Sequence, residues 1–196
     1  MDNADEDRIL TIPNVITVVR LCLLPVFLWL LFGREDRASA AWLLAALGTT
    51  DFFDGYIARH FNQVTNLGKI LDPVADRLLF FVGVGAIVID GSVPLWFAGA
   101  VLVREALVAG GTLTLAAMGV RRVDVTWFGK AYTFFLMISF PLFLASHSTL
   151  GWHRGGGTVA WILGIPGLAL AWYSAALYVP IARHALAERD AERMDS

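Results

Sequence analysis

Four aspartates stand in two pairs within the stretch DFFDGYIARHFNQVTNLGKILDPVAD, residues 51–76. Asp51 and Asp54 are three residues apart, and Asp72 and Asp76 are four apart. On a helix, either spacing puts both members of a pair on one face. The flanks of the stretch are almost wholly apolar. An aspartate at the centre of a membrane costs roughly 2.5–3.5 kcal/mol on the insertion scale, so four would cost on the order of 10 kcal/mol, and their repulsion adds to that. Such carboxylates need water and counter-charge. Arg59, Lys69 and Arg77 supply part of it. Two divalent cations, Mg²⁺ or Mn²⁺, would neutralise all four, because these hard ions take carboxylate oxygens together with substrate phosphates. A pair of such ions about 3.5–4 Å apart is a catalytic clamp for displacement at phosphorus. Asp51, Asp54, Asp72 and Asp76 are therefore candidate metal ligands. Arg59 can hold phosphate oxygens with two parallel hydrogen bonds. Gly55, Ala58 and Gly68 either let a bulky ligand approach the backbone or let two helices pack closely.

The elements that must position these residues follow from composition. The chain has 196 residues, 57% hydrophobic and 16% charged, with mean hydropathy +0.64. A soluble domain carries about 25% charged residues, so the excess points to an all-α, polytopic membrane protein. A membrane crossing takes about 20 apolar residues. Six segments qualify: Val15–Phe32, Ala38–Phe61, Gly68–Ile89, Val93–Met118, Val125–Ser146 and Thr158–Ala185. Residues 1–14 read as an interfacial segment and 186–196 as a solvated tail, all within one domain spanning 1–196. Both termini then lie on one side with nine basic residues, among them Arg8, Arg59, Lys69, Arg121 and Arg122, against Arg34, Arg37 and Arg154 on the other. The basic side is cytoplasmic by the positive-inside rule. This puts the acidic pairs near the cytoplasmic face of the cell membrane. The net charge of −2 gives no basic field for nucleic acid. One cysteine, Cys22, excludes a disulfide framework. The acidic start MDNADED lacks the basic region of a secretory signal.

The second span ends near Arg59 and the third begins near Gly68, so the two acidic pairs fall at similar depth on consecutive antiparallel helices. The pattern Asp51-x2-Asp54-Gly55-x2-Ala58-Arg59-x8-Gly68-x3-Asp72-x3-Asp76 resembles, position for position, the signature of the CDP-alcohol phosphotransferases. NQVTNLGKILDPVADRLL is most similar to the branch of phosphatidylglycerophosphate synthases and CDP-diacylglycerol-dependent cardiolipin synthases. The resemblance implies transfer of a phosphatidyl group from CDP-diacylglycerol to an alcohol, with release of CMP, in a homodimer. It implies metal ligation by the four aspartates and a second role for Asp76 as the catalytic base. It also implies nucleotide contacts from Asn14, Val15, Ile16, Thr17, Gly55, Ala58, Arg59, Thr65 and Gly68.

The acceptor depends on residues outside this stretch. VREALVAGG, with Arg104 and Glu105, resembles an Arg-Glu motif of phosphatidylglycerophosphate synthases, but Thr112 stands where those enzymes often carry a further arginine. Arg104, Lys130 and Arg121 are the candidate acceptor contacts, and Arg20 and Arg122 are further basic residues available to a phosphate. A structural ion pair is the competing role for Arg104 and Glu105. The order of expectation is glycerol 3-phosphate first and phosphatidylglycerol as the alternative. A cation-coupled transporter is a distant third. It would explain membrane carboxylates, but no acidic relay leads from this cluster across the third segment.

Overall fold

Local chemistry sets the start of the first two helices and the end of the third. In the computed structural model the described residues are 11–60, 66–118 and 127–194. The described side chains exclude those of 12–13, 51–60, 66–74, 116, 127–128, 130, 178 and 181–194. The described residues form helices and no strands. The helices are α1 (Ile12–Leu28), α2 (Arg37–His60), α3 (Asn66–Ile89), α4 (Leu95–Ala117), α5 (Trp127–Ser146) and α6 (His153–Met194). The four middle helices match the expected segments to within two residues at each end, and the first and last depart further. The first helix starts at Ile12, because Pro13 suits a first helical turn, where its missing N–H is no loss. The last starts at His153 and runs on through the expected tail.

The chain divides into two compact units, Met1–Val93 with Phe140–Thr158, and Pro94–Ser139 with Val159–Ser196. In the first unit, α1 packs against both α2 and α3. Its buried line is Asn14, Thr17, Arg20, Leu24, Phe27 and Leu31, which recurs at the three- and four-residue steps of one helical face. The first half of that line is polar and the second half apolar. Pro25 has no N–H to give, and α1 passes into a π-helical turn at Trp29–Gly33. A tight corner follows, with Glu35 at φ 53°.

Asp36 begins α2. Its Oδ1 accepts the Ser39 N–H at 3.0 Å, and its Oδ2 accepts the Ser39 hydroxyl at 2.6 Å. This side chain satisfies a donor that the helix start would otherwise leave open. The Ser39 hydroxyl and N–H hold the Asp36 carboxyl below its usual range. A lowered folded pKa stabilises the fold above the unfolded value and loses that contribution as pH falls through the folded one. Asp36→Ala should therefore destabilise by about 1 kcal/mol at neutral pH. In thermal melts the gap from the parent should shrink below about pH 4. An equal gap at both pH values would remove the capping carboxylate as the cause.

α3 ends in a Schellman turn. The Ser92 N–H reaches the Ile87 carbonyl at 3.2 Å, and the Gly91 N–H reaches that of Val88 at 3.1 Å. Gly91 sits at φ 77°, the left-handed position that suits glycine. The turn presents Asp90, whose carboxylate accepts the Ser92 hydroxyl and, at 3.0 and 3.1 Å, the Arg37 Nε–H.

In the second unit, α5 and α6 approach closely through Gly164 and Gly167. A Cβ at Gly164 would lie 2.8 Å from the Ser139 hydroxyl and 3.0 Å from Phe97. One at Gly167 would lie 2.9 Å from the Phe135 Cβ. Ser139 uses that proximity to donate to the Ala160 carbonyl at 2.8 Å. Trp161 stacks on Trp96 with ring centroids 5.8 Å apart.

Among the described residues, three segments are long and apolar enough to cross a membrane: Asn14–Gly33, Leu95–Leu115 and His153–Leu177. The apolar stretch of α5, Ala131–Ser146, is shorter. Val19, Leu107, Leu113 and Ile162 all stand at least half exposed, surface that a lipid environment covers.

Candidate functional site at the α2–α3 end

Arg37 of α2 meets Asp90, one residue past the end of α3. Seven residues further along α2, Leu44 lies 3.5 Å from where a Cβ on Gly83 would be, and Gly83 is seven residues back from Asp90. The helices are therefore antiparallel and in step. Another seven residues reaches Asp51 on α2 and Asp76 on α3, each about 21 Å from the Arg37–Asp90 pair at a rise of 1.5 Å per residue. Asp54 and Asp72 fall about one helical turn further on, at about 26 and 27 Å. Continued at that register, the two acidic pairs would fall at the same level along the helices.

Asp76 has a described side chain. It is 47% exposed, and its Oδ1 accepts a hydrogen bond from Arg20 Nη1 of α1 at 3.1 Å. Arg20 itself is 3% exposed. Asn14 and Thr17 precede it on the same buried line of α1, whereas Val15 is exposed and Ile16 half-buried. Of the expected nucleotide contacts, Asn14 and Thr17 thus share a face with the residue that holds Asp76. Asp51, Asp54, Gly55, Ala58, Arg59, Gly68 and Asp72 lie on described helix backbone, but their side chains are outside the described residues, and Thr65 is outside them altogether. Among the described residues no group of three metal-ligating side chains forms.

Arg20 is the residue that spacing alone does not pick out. Its signal is isolation: it is the sole charged residue between Ile12 and Gly33. A guanidinium inside an apolar span calls for a partner.

In the second unit, Arg104 is 3% exposed. Its Nη1 donates to Glu105 Oε1 at 2.5 Å and to the Tyr132 hydroxyl at 2.5 Å, and its Nε donates to the Ala171 carbonyl at 3.1 Å. The Tyr132 hydroxyl donates to the same Glu105 oxygen at 2.7 Å. The guanidinium carbon also lies 4.0 Å from the Tyr132 ring centre. One guanidinium thereby ties α4 to α5 and α6. Thr112 turns its hydroxyl to the Val108 and Ala109 carbonyls of its own helix. The Lys130 side chain and Arg121 are outside the described residues.

The family model for CDP-alcohol phosphatidyltransferases matches residues 10–177. The chain belongs to the CDP-alcohol phosphatidyltransferase family. That membership covers all six helices except the last part of α6, and it includes every aspartate of the two pairs. A CMP-forming cardiolipin synthase of Streptomyces coelicolor is 37% identical over 179 residues, covering 88% of this chain and 83% of that protein. A CDP-diacylglycerol–glycerol-3-phosphate 3-phosphatidyltransferase of Rickettsia typhi is 34% identical over 177 residues, covering 86% and 90%. The chain is a membrane-associated phosphatidyltransferase by family and by its apolar helices.

Proposed function

We propose that the chain transfers a phosphatidyl group from CDP-diacylglycerol to phosphatidylglycerol, forming cardiolipin and releasing CMP. The observation that supports the reaction is the antiparallel register of α2 and α3 set by Arg37 with Asp90 and Leu44 with Gly83, in a member of this family; continued along both helices, it would level Asp51 and Asp54 with Asp72 and Asp76. Aspartate oxygens suit Mg²⁺ or Mn²⁺, so these four residues would hold the ions. Two such ions would offset the diphosphate charge and stabilise the departing CMP. The segment around Asn14 and Thr17, with Gly55, Ala58, Arg59, Thr65 and Gly68, would seat the nucleotide, and Arg59 is suited to the diphosphate.

The chemistry then reduces to one displacement. The Asp76 carboxylate takes the proton of the acceptor hydroxyl. That oxygen bonds to the phosphorus bearing diacylglycerol, and the bond from this phosphorus to the CMP oxygen breaks. Transfers of this kind depend on positioning and charge more than on covalent catalysis. The half-exposed setting of Asp76 leaves room for an acceptor to approach it.

The choice of phosphatidylglycerol rests on Arg104 and Thr112. Glycerol 3-phosphate approaches a dianion and calls for several basic contacts. Arg104 is already bonded to Glu105, Tyr132 and the Ala171 carbonyl, and the Thr112 hydroxyl is turned onto its own helix. This supports the structural ion-pair role of Arg104 and moves the balance away from glycerol 3-phosphate. The similarity to a cardiolipin synthase agrees. Glycerol 3-phosphate remains the second reading, supported by the Rickettsia relative. Purified protein given labelled CDP-diacylglycerol and each acceptor separately should make labelled lipid with phosphatidylglycerol. Product with glycerol 3-phosphate alone would reverse the choice.

We further propose one domain, six crossings, both termini and the acidic site on the cytoplasmic side of the cell membrane, and a homodimer. The Lys/Arg asymmetry supports the orientation, and the family resemblance supports the dimer.

A further inference from the structure

We infer that Arg20 is a positioning residue for the reaction: it anchors the Asp76 carboxylate from the buried side and keeps it from closing fully onto a cation. The inference rests on the proposal that Asp76 stands at the reacting centre. Three observations carry it. Arg20 is 3% exposed while Asp76 is 47% exposed, so the guanidinium lies behind the carboxylate and the carboxylate faces outward. Arg20 Nη1 donates to Asp76 Oδ1 at 3.1 Å, across 56 residues of sequence. Arg20 also continues the buried line of Asn14 and Thr17 on α1, so its own place is fixed by helix packing. A side chain held this way transmits the position of α1 to the carboxylate.

Two consequences of opposite sign follow. A misplacement of about 1 Å at a reacting group can lower a rate by about 10²-fold, so loss of the anchor should lower kcat. A guanidinium beside a carboxylate also repels a nearby divalent ion and competes for the same oxygens, so its loss should tighten ion binding. A residue that only supports the fold would not weaken turnover and strengthen ion binding together.

The test uses the full-length protein in detergent, with Arg20→Gln, Arg20→Lys and Asp76→Asn. Mn²⁺ binding without substrate is read by electron paramagnetic resonance. In Arg20→Gln, kcat for CMP release should fall about 100-fold with KM for CDP-diacylglycerol within about threefold, and the Mn²⁺ dissociation constant should fall several-fold. Arg20→Lys, which keeps the charge but not the planar fork, should recover about tenfold of the lost kcat, stay about tenfold below the parent, and restore parental Mn²⁺ affinity. Unchanged kcat in both variants, a change confined to KM, or weaker Mn²⁺ binding would overturn the inference. If Arg20→Gln does not fold, Arg20→Lys decides alone: a lower kcat at unchanged KM supports the anchor, and parental kcat overturns it. Asp76→Asn separates the two levels. An active Asp76→Asn would defeat the underlying proposal, whereas an inactive one beside normal Arg20 variants would defeat this inference only.

Discussion

Asp76→Asn is expected to lower the rate of CMP release by about 10²–10⁴-fold, the range that a positioned general base contributes. Binding of CDP-diacylglycerol should change only a few-fold. The amide keeps the size of the side chain and can still accept from Arg20, so α1 and α3 should stay together. What it loses is the negative charge and the ability to take a proton. Rapid-quench turnover with saturating donor, set beside equilibrium binding of the donor, separates the two effects. Asp51→Asn, Asp54→Asn and Asp72→Asn should lose divalent-ion affinity as well as rate, and raised Mg²⁺ should restore part of their turnover, whereas in Asp76→Asn, which loses a ligand and the proton acceptor together, raised Mg²⁺ should not restore it. If Asp76→Asn turned over normally, the base would have to be sought elsewhere.

Arg104→Gln should destabilise the fold by about 3 kcal/mol, the lower end for breaking a buried charge pair. The lower end applies because Glu105 is 27% exposed and keeps some water. The shorter, neutral side chain cannot reach the Glu105 oxygen, the Tyr132 hydroxyl and the Ala171 carbonyl together. Three helices then lose their shared donor, and Tyr132 loses the cation over its ring. For a chain of this length the melting temperature should fall by about 6–12 °C. Residual activity of the folded fraction should show an unaltered KM for the acceptor. An unchanged melting temperature with a raised acceptor KM would return Arg104 to the acceptor site.

The two acidic pairs stand out in the sequence because their signal is energetic and periodic at once. Carboxylates are costly in apolar segments, and steps of three and four residues specify one helical face. The antiparallel register of α2 and α3 was legible only in outline. Its anchors, Arg37 with Asp90 and Leu44 with Gly83, are single contacts between distant positions that no local pattern announces. The last helix starts five residues before the Thr158 that the sequence suggests. GGG at 155–157 reads as a loop, since glycine is costly inside a helix, yet the helix includes all three. Arg104 was ambiguous from sequence because an ion pair with the next residue and an acceptor contact call for the same side chain. Its partners on α5 and α6 decide what it touches, and they lie 28 and 67 residues away. In the sequence Arg20 is one basic residue among several, since its link to Asp76 is a tertiary fact.

The most direct measurement is CMP release by the purified protein supplied with CDP-diacylglycerol and phosphatidylglycerol, followed together with lipid product, with and without a chelator of divalent ions. The expected result is CMP and cardiolipin in equal amounts, both stopped by the chelator and both restored by Mg²⁺ or Mn²⁺. Cardiolipin formed without CMP, or equal turnover in the presence of the chelator, would contradict a metal-dependent phosphatidyl transfer at the four aspartates.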